Sequence, residues 1–368
     1  MIPSLSAAYG AVVAWRRALY ARDPSKRRRL ARPVVSVGNL GVGGSGKTPV
    51  VEHVARLLQD GGERPAILTR GYARRIPHDG VTVVSDPSAV LADLDSAGDE
   101  PLMLARALPG IPVLVGANRH LSGALAERRF GATVHVLDDG FQHLQLARDL
   151  DLLLVSEEDL ADQPLPVGRL RERLDAAAVA DAALVTAGYD TAADRIGRAL
   201  RVPTVFRVTR AIAPPRSIMG PRESVVVPPA SRVFAVAGIA RPDRFMADIA
   251  AAGWEVAGSM TFRDHYRFSS RDVTRIVAAA TSARSSIVLT TEKDAVRLAA
   301  LDLRDLPFAS LPLVVGVEPD DRFRAWLLDR VRSARSAMST GSSNAACQSR
   351  RAVPRVPNRE PRITRPEP

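Results

Sequence analysis

The sequence has few of the features that mark secreted or membrane-spanning proteins. Its single cysteine, Cys347, excludes a disulfide framework and a cysteine-based metal site, and favours a reducing, cytosolic setting. No stretch of about 20 uncharged apolar residues occurs, so a spanning helix is not expected. The N-terminal apolar run precedes its positive charges, which is the reverse of a secretory signal. The 368 residues, 46% of them hydrophobic, are enough for roughly two globular domains.

The positive charge is concentrated at the two ends of the chain. The formal net charge is +11, but residues 1–34 hold eight Arg or Lys against one Asp, and residues 331–368 hold eight Arg against two Glu. The remaining body is therefore close to neutral. We expect no nucleic-acid partner for this body, because a polyanion-binding surface needs a basic face.

The first 32 residues are predicted to associate with a membrane. An apolar segment at 2–15 leads into Arg16, Arg17, Arg22 and the basic run 26–29. A basic amphipathic helix of this kind lies in the interface, with its apolar side on the acyl chains and its cations on anionic head groups. A helix packed on the protein core is the alternative.

The pattern after Pro33 predicts an α/β fold. Short β-branched runs alternate with helical segments, which is typical of a mostly parallel sheet flanked by helices. Proline residues between 214 and 229 favour a domain boundary near 190–230. We predict a P-loop NTPase-type domain at 33–205, a second, smaller α/β domain at 206–334 and a disordered basic tail at 335–368. The predicted strands are 34–37, 66–69, 113–115, 133–137, 152–155 and 183–186, then 233–236, 255–257, 286–289 and 314–317.

The strongest motif is a phosphate-binding loop. A strand candidate runs into a segment that fits G-x-x-x-x-G-K-[ST], and a helical segment follows it. The predicted nucleotide-binding residues are Gly41, Val42, Gly43, Gly44, Ser45, Gly46, Lys47 and Thr48. Backbone N–H groups of such a loop face phosphate oxygens, Lys47 reaches the β- and γ-phosphates, and the Thr48 hydroxyl binds Mg²⁺.

A pair of carboxylates follows another core strand. Asp138 and Asp139 end the predicted strand 133–137, and ligands of parallel sheets bind beyond the carboxyl ends of the strands. Because adjacent carboxylates repel each other, a cation beside them is favourable. We predict that they bind Mg²⁺ together with Thr48; an Asx turn is the alternative.

Three further segments are candidates for binding or deprotonating a hydroxyl group that receives the γ-phosphate. Asp99 begins an apolar helical stripe and is either a general base or only a helix cap. His265 lies among aromatic residues and is either functional or a packed core histidine. Arg171 and Glu172 belong to a basic segment that either clamps a phosphoryl group or forms a solvated helix face.

Taken together, these segments make the chain resemble the tetraacyldisaccharide 4'-kinase family, the lipid A 4'-kinases of Gram-negative bacteria. The matching stretches are 36–48, Thr69-Arg70-Gly71-Tyr72, Gly98-Asp99-Glu100-Pro101, Asp138-Asp139-Gly140-Phe141-Gln142-His143, 165–172, 262–268 and Thr291-Glu292-Lys293-Asp294.

The resemblance implies an enzyme of lipid A biosynthesis. Its implied reaction is ATP- and Mg²⁺-dependent phosphorylation of the 4'-hydroxyl of tetraacyldisaccharide 1-phosphate, which yields lipid IVA. It implies Asp99 as the catalytic base, His265 as its partner, Lys47 as a phosphate ligand, and Arg171 with Glu172 on the phosphate side. It also implies a peripheral or monotopic protein on the cytoplasmic face of the inner membrane. We expect a monomer.

Two other functions stay open at this point. A P-loop GTPase or metallochaperone would need a guanine motif or a Cys/His cluster; the 291–294 segment places Lys293 one position late for [NT]-K-x-D. A nucleic-acid-dependent ATPase would be stimulated by polynucleotides in a salt-dependent manner. For a lipid kinase, deletion of 331–368 is expected to leave turnover nearly intact.

Overall fold

A computed structural model describes residues 2–351 apart from 44–45, 73, 77–78, 187–189, 220–222 and 304–305. The helices are α1 (Ile2–Arg22), α2 (Lys47–Asp60), α3 (Leu94–Ala97), α4 (Asp99–Ala107), α5 (Arg119–Phe130), α6 (Glu157–Leu160), α7 (Asp190–Leu200), α8 (Pro242–Ala251), α9 (Ser270–Ser282), α10 (Glu292–Leu298) and α11 (Asp320–Arg351), with 3₁₀ turns at Pro24–Lys26 and Leu174–Val179. The strands are β1 (Val34–Asn39), β2 (Pro65–Thr69), β3 (Thr82–Ser85), β4 (Val113–Val115), β5 (Val134–Asp138), β6 (Leu150–Ser156), β7 (Ala182–Thr186), β8 (Val205–Ile212), β9 (Arg216–Ser217), β10 (Arg232–Ala237), β11 (Glu255–Thr261), β12 (Ile287–Thr291), β13 (Phe308–Leu311) and β14 (Leu313–Glu318).

A nine-stranded sheet forms the larger of two layered regions. Its order is β14-β8-β7-β6-β1-β5-β2-β4-β3, and all neighbours are parallel except the edge pairs β3–β4 and β14–β8. The strands β1, β2, β4 and β5 are buried on both faces, which explains their continuous apolar runs. Helices α2, α4 and α11 contribute to the core on one face and α5 to that on the other. This confirms the predicted fold class.

A five-stranded sheet forms the smaller region, in the order β11-β10-β12-β13-β9. Its strands are parallel except for β9, which pairs antiparallel with β13. Phe245 and Ile249 of α8 pack on one face, while Val273 and Ile276 of α9 pack on the other. The region is thus a second α/β layer with its own core.

The predicted boundary between the two regions needs correction. Strand β8 and, after the whole smaller region, strand β14 pair with each other in the nine-stranded sheet. The smaller region therefore occupies about 213–312 instead of 206–334, and the chain crosses between the sheets twice. The predicted strand 314–317 is real but belongs to the larger sheet.

The predicted disordered tail is also partly wrong. Helix α11 continues through Arg351, and its Val331 is buried in the large core beside Phe323 and Leu327. Arg335 bonds to Glu63 at 2.5 Å and to the Thr133 carbonyl at 3.4 Å. Residues 335–351 are helical, and 352–368 lie outside the described residues.

Helix α1 confirms the predicted N-terminal helix and contacts the body with one face. The Ser6 hydroxyl donates to the Pro164 carbonyl at 2.6 Å, and Tyr9 donates to the Arg171 carbonyl at 3.1 Å. A second stripe, which we call the α1 apolar stripe, is exposed and consists of Leu5, Val12, Trp15 and Leu19. Of the described helices, none is long and apolar enough to cross a membrane.

Candidate active site

The phosphate-binding loop connects β1 to α2. Gly43 and Gly46 have φ angles of 96° and 81°, a left-handed conformation that favours glycine. The Val42 N–H donates to the Arg169 carbonyl at 2.8 Å, which ties the loop to the segment before Arg171. Lys47 and Thr48 are the first residues of α2, so both lie at the positive end of a helix. Gly44 and Ser45 lie outside the described residues.

Lys47 is held at the carboxyl ends of two central strands. Its Nζ donates to Asn39 Oδ1 at 2.8 Å and lies 3.4 Å from Asp139 Oδ1. Arg171 donates to both oxygens of Asp139 at 2.8 Å and to Asn39 Oδ1 at 2.6 Å. Although burial alone would raise the pKa of Asp139, Arg171 and Lys47 hold it well below its usual range. These four side chains form one charge network beside the loop.

Asp138 has a different environment from its neighbour. It ends β5, is almost fully buried, and accepts a hydrogen bond from the Thr69 hydroxyl at 3.0 Å. Burial, followed by the charges of Glu100 and Asp139, raises its pKa to about 7. A buried carboxylate in this position is stabilised by a cation.

Thr48, Asp138 and Asp139 fit a Mg²⁺ site only when a bound nucleotide supplies further oxygen ligands. Within the described ranges, no group of three or more His, Cys, Asp or Glu side chains is arranged to hold a metal ion. Mg²⁺ commonly uses one or two protein oxygens plus phosphate oxygens and water, so Thr48 and Asp138 are a sufficient protein contribution. Asp139 fits this role less well, because Arg171 and Lys47 already engage its oxygens.

Asp99 and His265 lie against each other across the two regions. Asp99 is the first residue of α4, and its Oδ2 lies 2.9 Å from His265 Nδ1. Its Oδ1 accepts the Glu100 N–H at 2.9 Å. Gly98 is the helix N-cap, with φ 86° and no room for a Cβ beside the Tyr72 carbonyl. Asp99 is therefore not the N-cap that the sequence left open.

The balance of charges keeps Asp99 ionised. Burial raises its pKa, but the His265 hydrogen bond and the charges of Lys293 and Arg297 outweigh burial and hold the pKa below its usual value. Arg297 Nε lies 3.4 Å from Asp99 Oδ2. A carboxylate at neutral pH is the form that accepts a proton.

Aromatic packing fixes the loop that carries His265. The rings of Phe262, Tyr266 and Phe268 contact one another with centroids 4.7 to 5.5 Å apart. The His265 ring makes an edge contact with Tyr72 at 5.3 Å and keeps 21% of its side chain exposed. The histidine is thus on the rim of this aromatic cluster and not inside it.

Glu172 lies apart from the phosphate-side network that includes its neighbour Arg171. It is buried and accepts two hydrogen bonds from Arg17 of α1, at 2.6 and 2.7 Å. Arg17 also packs over the Phe141 ring and donates to its carbonyl. Arg171 and Lys47 share Asp139 as a partner, whereas Glu172 anchors the N-terminal helix.

Comparison with known proteins assigns the family. Residues 1–332 match the model of the family described as Tetraacyldisaccharide-1-P 4'-kinase. This chain belongs to that family.

Relatives and a solved structure agree with the assignment to the 4'-kinase family. The tetraacyldisaccharide 4'-kinase of Koribacter versatilis is 39% identical over 86% of this chain and 94% of its own length. That of Anaeromyxobacter sp. is 40% identical over 79% of this chain and 80% of its own. A crystal structure of Aquifex aeolicus LpxK in complex with ATP is 32% identical, with a TM-score of 0.72, over 89% of this chain and 97% of that one. The resemblance inferred from the motifs is confirmed.

Three site residues of this 4'-kinase family member were not predicted from sequence. Asn39 binds both Lys47 and Arg171, while Lys293 and Arg297 of α10 face Asp99. The segment 291–294 is similar in sequence to a guanine-recognition element, with Lys293 one position late. Its lysine instead contacts Glu100 and His265, which removes the structural reason for that alternative.

Proposed function

We propose that this chain transfers the γ-phosphate of ATP to the 4'-hydroxyl of tetraacyldisaccharide 1-phosphate, the lipid IVA-forming step of lipid A biosynthesis. The observation that carries the proposal is the buried, ionised Asp99 paired with His265 at 2.9 Å. Glu100, which follows Asp99, is near enough to Asp138 to raise its pKa. The start of α4, which carries the proton acceptor, is therefore on the side of the proposed metal ligand Asp138.

On the donor side, the chain binds and orients the triphosphate. Backbone N–H groups of the loop and the start of α2 surround phosphate oxygens, and Lys47 neutralises their charge. Thr48 and Asp138 would hold Mg²⁺, which would supply positive charge to the bound triphosphate. Asp139 and Arg171 keep Lys47 in position through the network described above.

On the acceptor side, Asp99 receives the proton of the attacking hydroxyl. Its two oxygens already accept from the Glu100 N–H and from His265, so its orientation is fixed before substrate binds. A prepositioned base adjacent to a bound triphosphate is sufficient for phosphoryl transfer, because this chemistry depends mainly on positioning and charge.

A group of cations offers a site for the phosphate that the acceptor already carries. Burial and the charge of Arg70 lower the pKa of buried Arg119 to about 10, although the carboxylates of Asp138 and Asp139 act in the opposite direction. Burial and the charges of Arg70, Arg119 and two further arginines lower the pKa of His143 to about 4. An anionic phosphate would relieve the repulsion among these cations.

The exposed face of α1 supports action at an anionic membrane surface. The α1 apolar stripe is solvent-exposed, and Arg22 and Lys26 follow it. A substrate with four acyl chains stays in the bilayer, because each buried CH₂ contributes about 0.8 kcal/mol. We propose that the stripe binds the cytoplasmic face of the inner membrane and brings the active site to the lipid.

The product of the reaction tests this function. Purified protein is incubated with ATP, Mg²⁺ and tetraacyldisaccharide 1-phosphate in detergent micelles, and the lipid is analysed by mass spectrometry and ³¹P NMR. We expect a second phosphomonoester at the 4' position, with Lys47→Met inactive. Unchanged lipid in the presence of folded, ATP-binding protein would reject the proposal, and a strict requirement for GTP would favour the GTPase alternative.

A further inference from the structure

The Thr291–Asp294 segment places one lysine beside the proposed base. Thr291 caps α10, since its side chain accepts from the Asp294 N–H at 3.1 Å. Asp294 is fully buried and accepts the Gly238 N–H at 2.9 Å. With residues on both sides fixed, the backbone of Lys293 has a defined position, and its side chain points across to α4.

Lys293 contacts the far side of the His265 ring. Its Nζ lies 3.2 Å from His265 Nε2, 3.1 Å from Glu100 Oε1 and 3.3 Å from Asp264 Oδ1. Its side chain is 16% exposed. Burial lowers the pKa of Lys293, but Glu100, Asp99 and Asp264 outweigh burial and raise it, so the amine stays an ammonium ion.

The hydrogen-bond directions follow from these contacts. An ammonium ion only donates, so Nε2 must accept and carry no proton. The ring proton is then on Nδ1 and is donated to Asp99 Oδ2. We infer that Lys293 is a positioning residue that holds His265 as the neutral Nδ1–H tautomer, with its hydrogen bond directed at Asp99. The inference deepens the proposed function and rests on its assignment of Asp99 as base.

Without Lys293, the groups around the ring favour a different state. Asp99 lies 2.9 Å from Nδ1 and Asp264 lies 3.9 Å from Nε2, so two carboxylates would attract a proton to the second nitrogen. Arg297 faces Asp99 and not Nε2, and Tyr72 contributes only a ring edge. An imidazolium beside Asp99 would stabilise its carboxylate and make it a weaker base.

Replacing Lys293 should change both the protonation of His265 and the rate of the reaction. In Lys293→Met, His265 should become doubly protonated at neutral pH, and kcat should fall at least about tenfold while KM for ATP changes less than about twofold. Raising the pH removes the extra proton, so kcat should recover on the alkaline side. Lys293→Arg keeps a donor at Nε2 and should retain most of the activity.

Histidine ¹⁵N NMR of the intact protein tests the tautomer without using activity. The His265 signals are assigned by their loss in His265→Asn. In wild type we expect His265 to show a protonated Nδ1 and an unprotonated Nε2. In Lys293→Met we expect both ring nitrogens to be protonated. The control Lys26→Met should show the wild-type pattern.

The outcomes separate this inference from the proposed function. Protonated Nε2 in wild type, or an unchanged ring and pH profile in Lys293→Met, would overturn it even if the kinase is active. Full activity of Asp99→Asn would reject the base assignment instead. If Lys293→Met fails to fold, the wild-type spectrum and the activity of Lys293→Arg still test whether Lys293 holds this tautomer.

Discussion

Asp99 and His265 are 166 positions apart in the sequence and 2.9 Å apart in space. Asp99 begins a helix packed on the nine-stranded sheet, and His265 follows β11 of the smaller sheet. The pair therefore exists only when the two regions are docked. This makes the base an interdomain feature, supported on the smaller side by Lys293 and Arg297.

Asp138 gives the metal-free protein a distinctive pH dependence. Its pKa is raised from 3.8 to about 7 in the folded state. Below pH 3.8 this carboxyl is protonated in both the folded and the unfolded protein. Between pH 3.8 and about 7 it ionises only in the unfolded chain, so the free energy of unfolding falls by about 1.4 kcal/mol per pH unit. Above about pH 7 it is ionised in both states and no further stability is lost. In unfolding experiments without Mg²⁺, the free energy of unfolding of Asp138→Asn should increase relative to that of wild type as the pH rises from 5 to 8. Parallel curves for the two proteins would contradict the raised pKa.

The ion pair between Arg17 and Glu172 should anchor α1 to the body. Both side chains are largely buried, at 12% and 4% exposure. Removing one partner leaves a buried charge, so Arg17→Met or Glu172→Gln should each cost about 3 kcal/mol or more, and the double variant less than their sum. Urea unfolding measures these values. The pair Arg232 and Glu255, exposed on both sides at 47% and 54%, is the control and should couple by less than about 1 kcal/mol. Equal coupling in both pairs would reject the anchoring role.

The C-terminal helix sets a sharp limit for truncation. A chain ending at 340 keeps Val331 and Arg335, whereas one ending at 330 loses a core residue and the bond to Glu63. We expect the longer version to unfold within about 2 °C of wild type and the shorter one several degrees lower. Calorimetry distinguishes them. Equal stability of the two shortened chains would contradict the role of Val331 and Arg335 in holding α11 to the body.

The α1 apolar stripe should determine membrane binding. Trp15 is 66% exposed, so Trp15→Glu removes apolar contact without opening a core cavity. Partition onto phosphatidylglycerol-containing vesicles should fall at least about tenfold, with ATP binding unchanged. Val314→Glu, at a half-exposed apolar position on β14, is the matched control. Equal loss in both variants, or none in Trp15→Glu, would contradict membrane docking through α1.

The elements with strong local signals were predictable. Strands β1, β2, β4, β5, β6 and β7 are nearly continuous apolar runs, and the loop before α2 has the glycine pattern that its left-handed positions require. Asp99 and His265 were predicted to pair only through the family resemblance. Their proximity depends on the docking of two sheets, which no local pattern encodes.

Contacts between segments that are distant in sequence were not predicted, for the same reason. The pairing of β8 with β14 crosses the whole smaller region, and neither strand indicates which sheet it joins. Arg335 contacts the body one residue beyond the predicted end of the smaller domain at 334, and α11 continues to Arg351. In sequence, Lys293 is similar in spacing to the lysine of a guanine motif. Its contacts in the structure are with His265 and Glu100, which are distant in sequence.

The most direct test of the account is transfer of labelled γ-phosphate from ATP to tetraacyldisaccharide 1-phosphate by Asp99→Asn. The substitution keeps the size of the side chain and removes the base, so the rate should fall by about 10² to 10⁴, with ATP affinity retained. Asp60→Asn, at the exposed end of α2, should match wild type. Wild-type labelling of the lipid by Asp99→Asn would contradict the central claim that Asp99 accepts the proton of the acceptor hydroxyl.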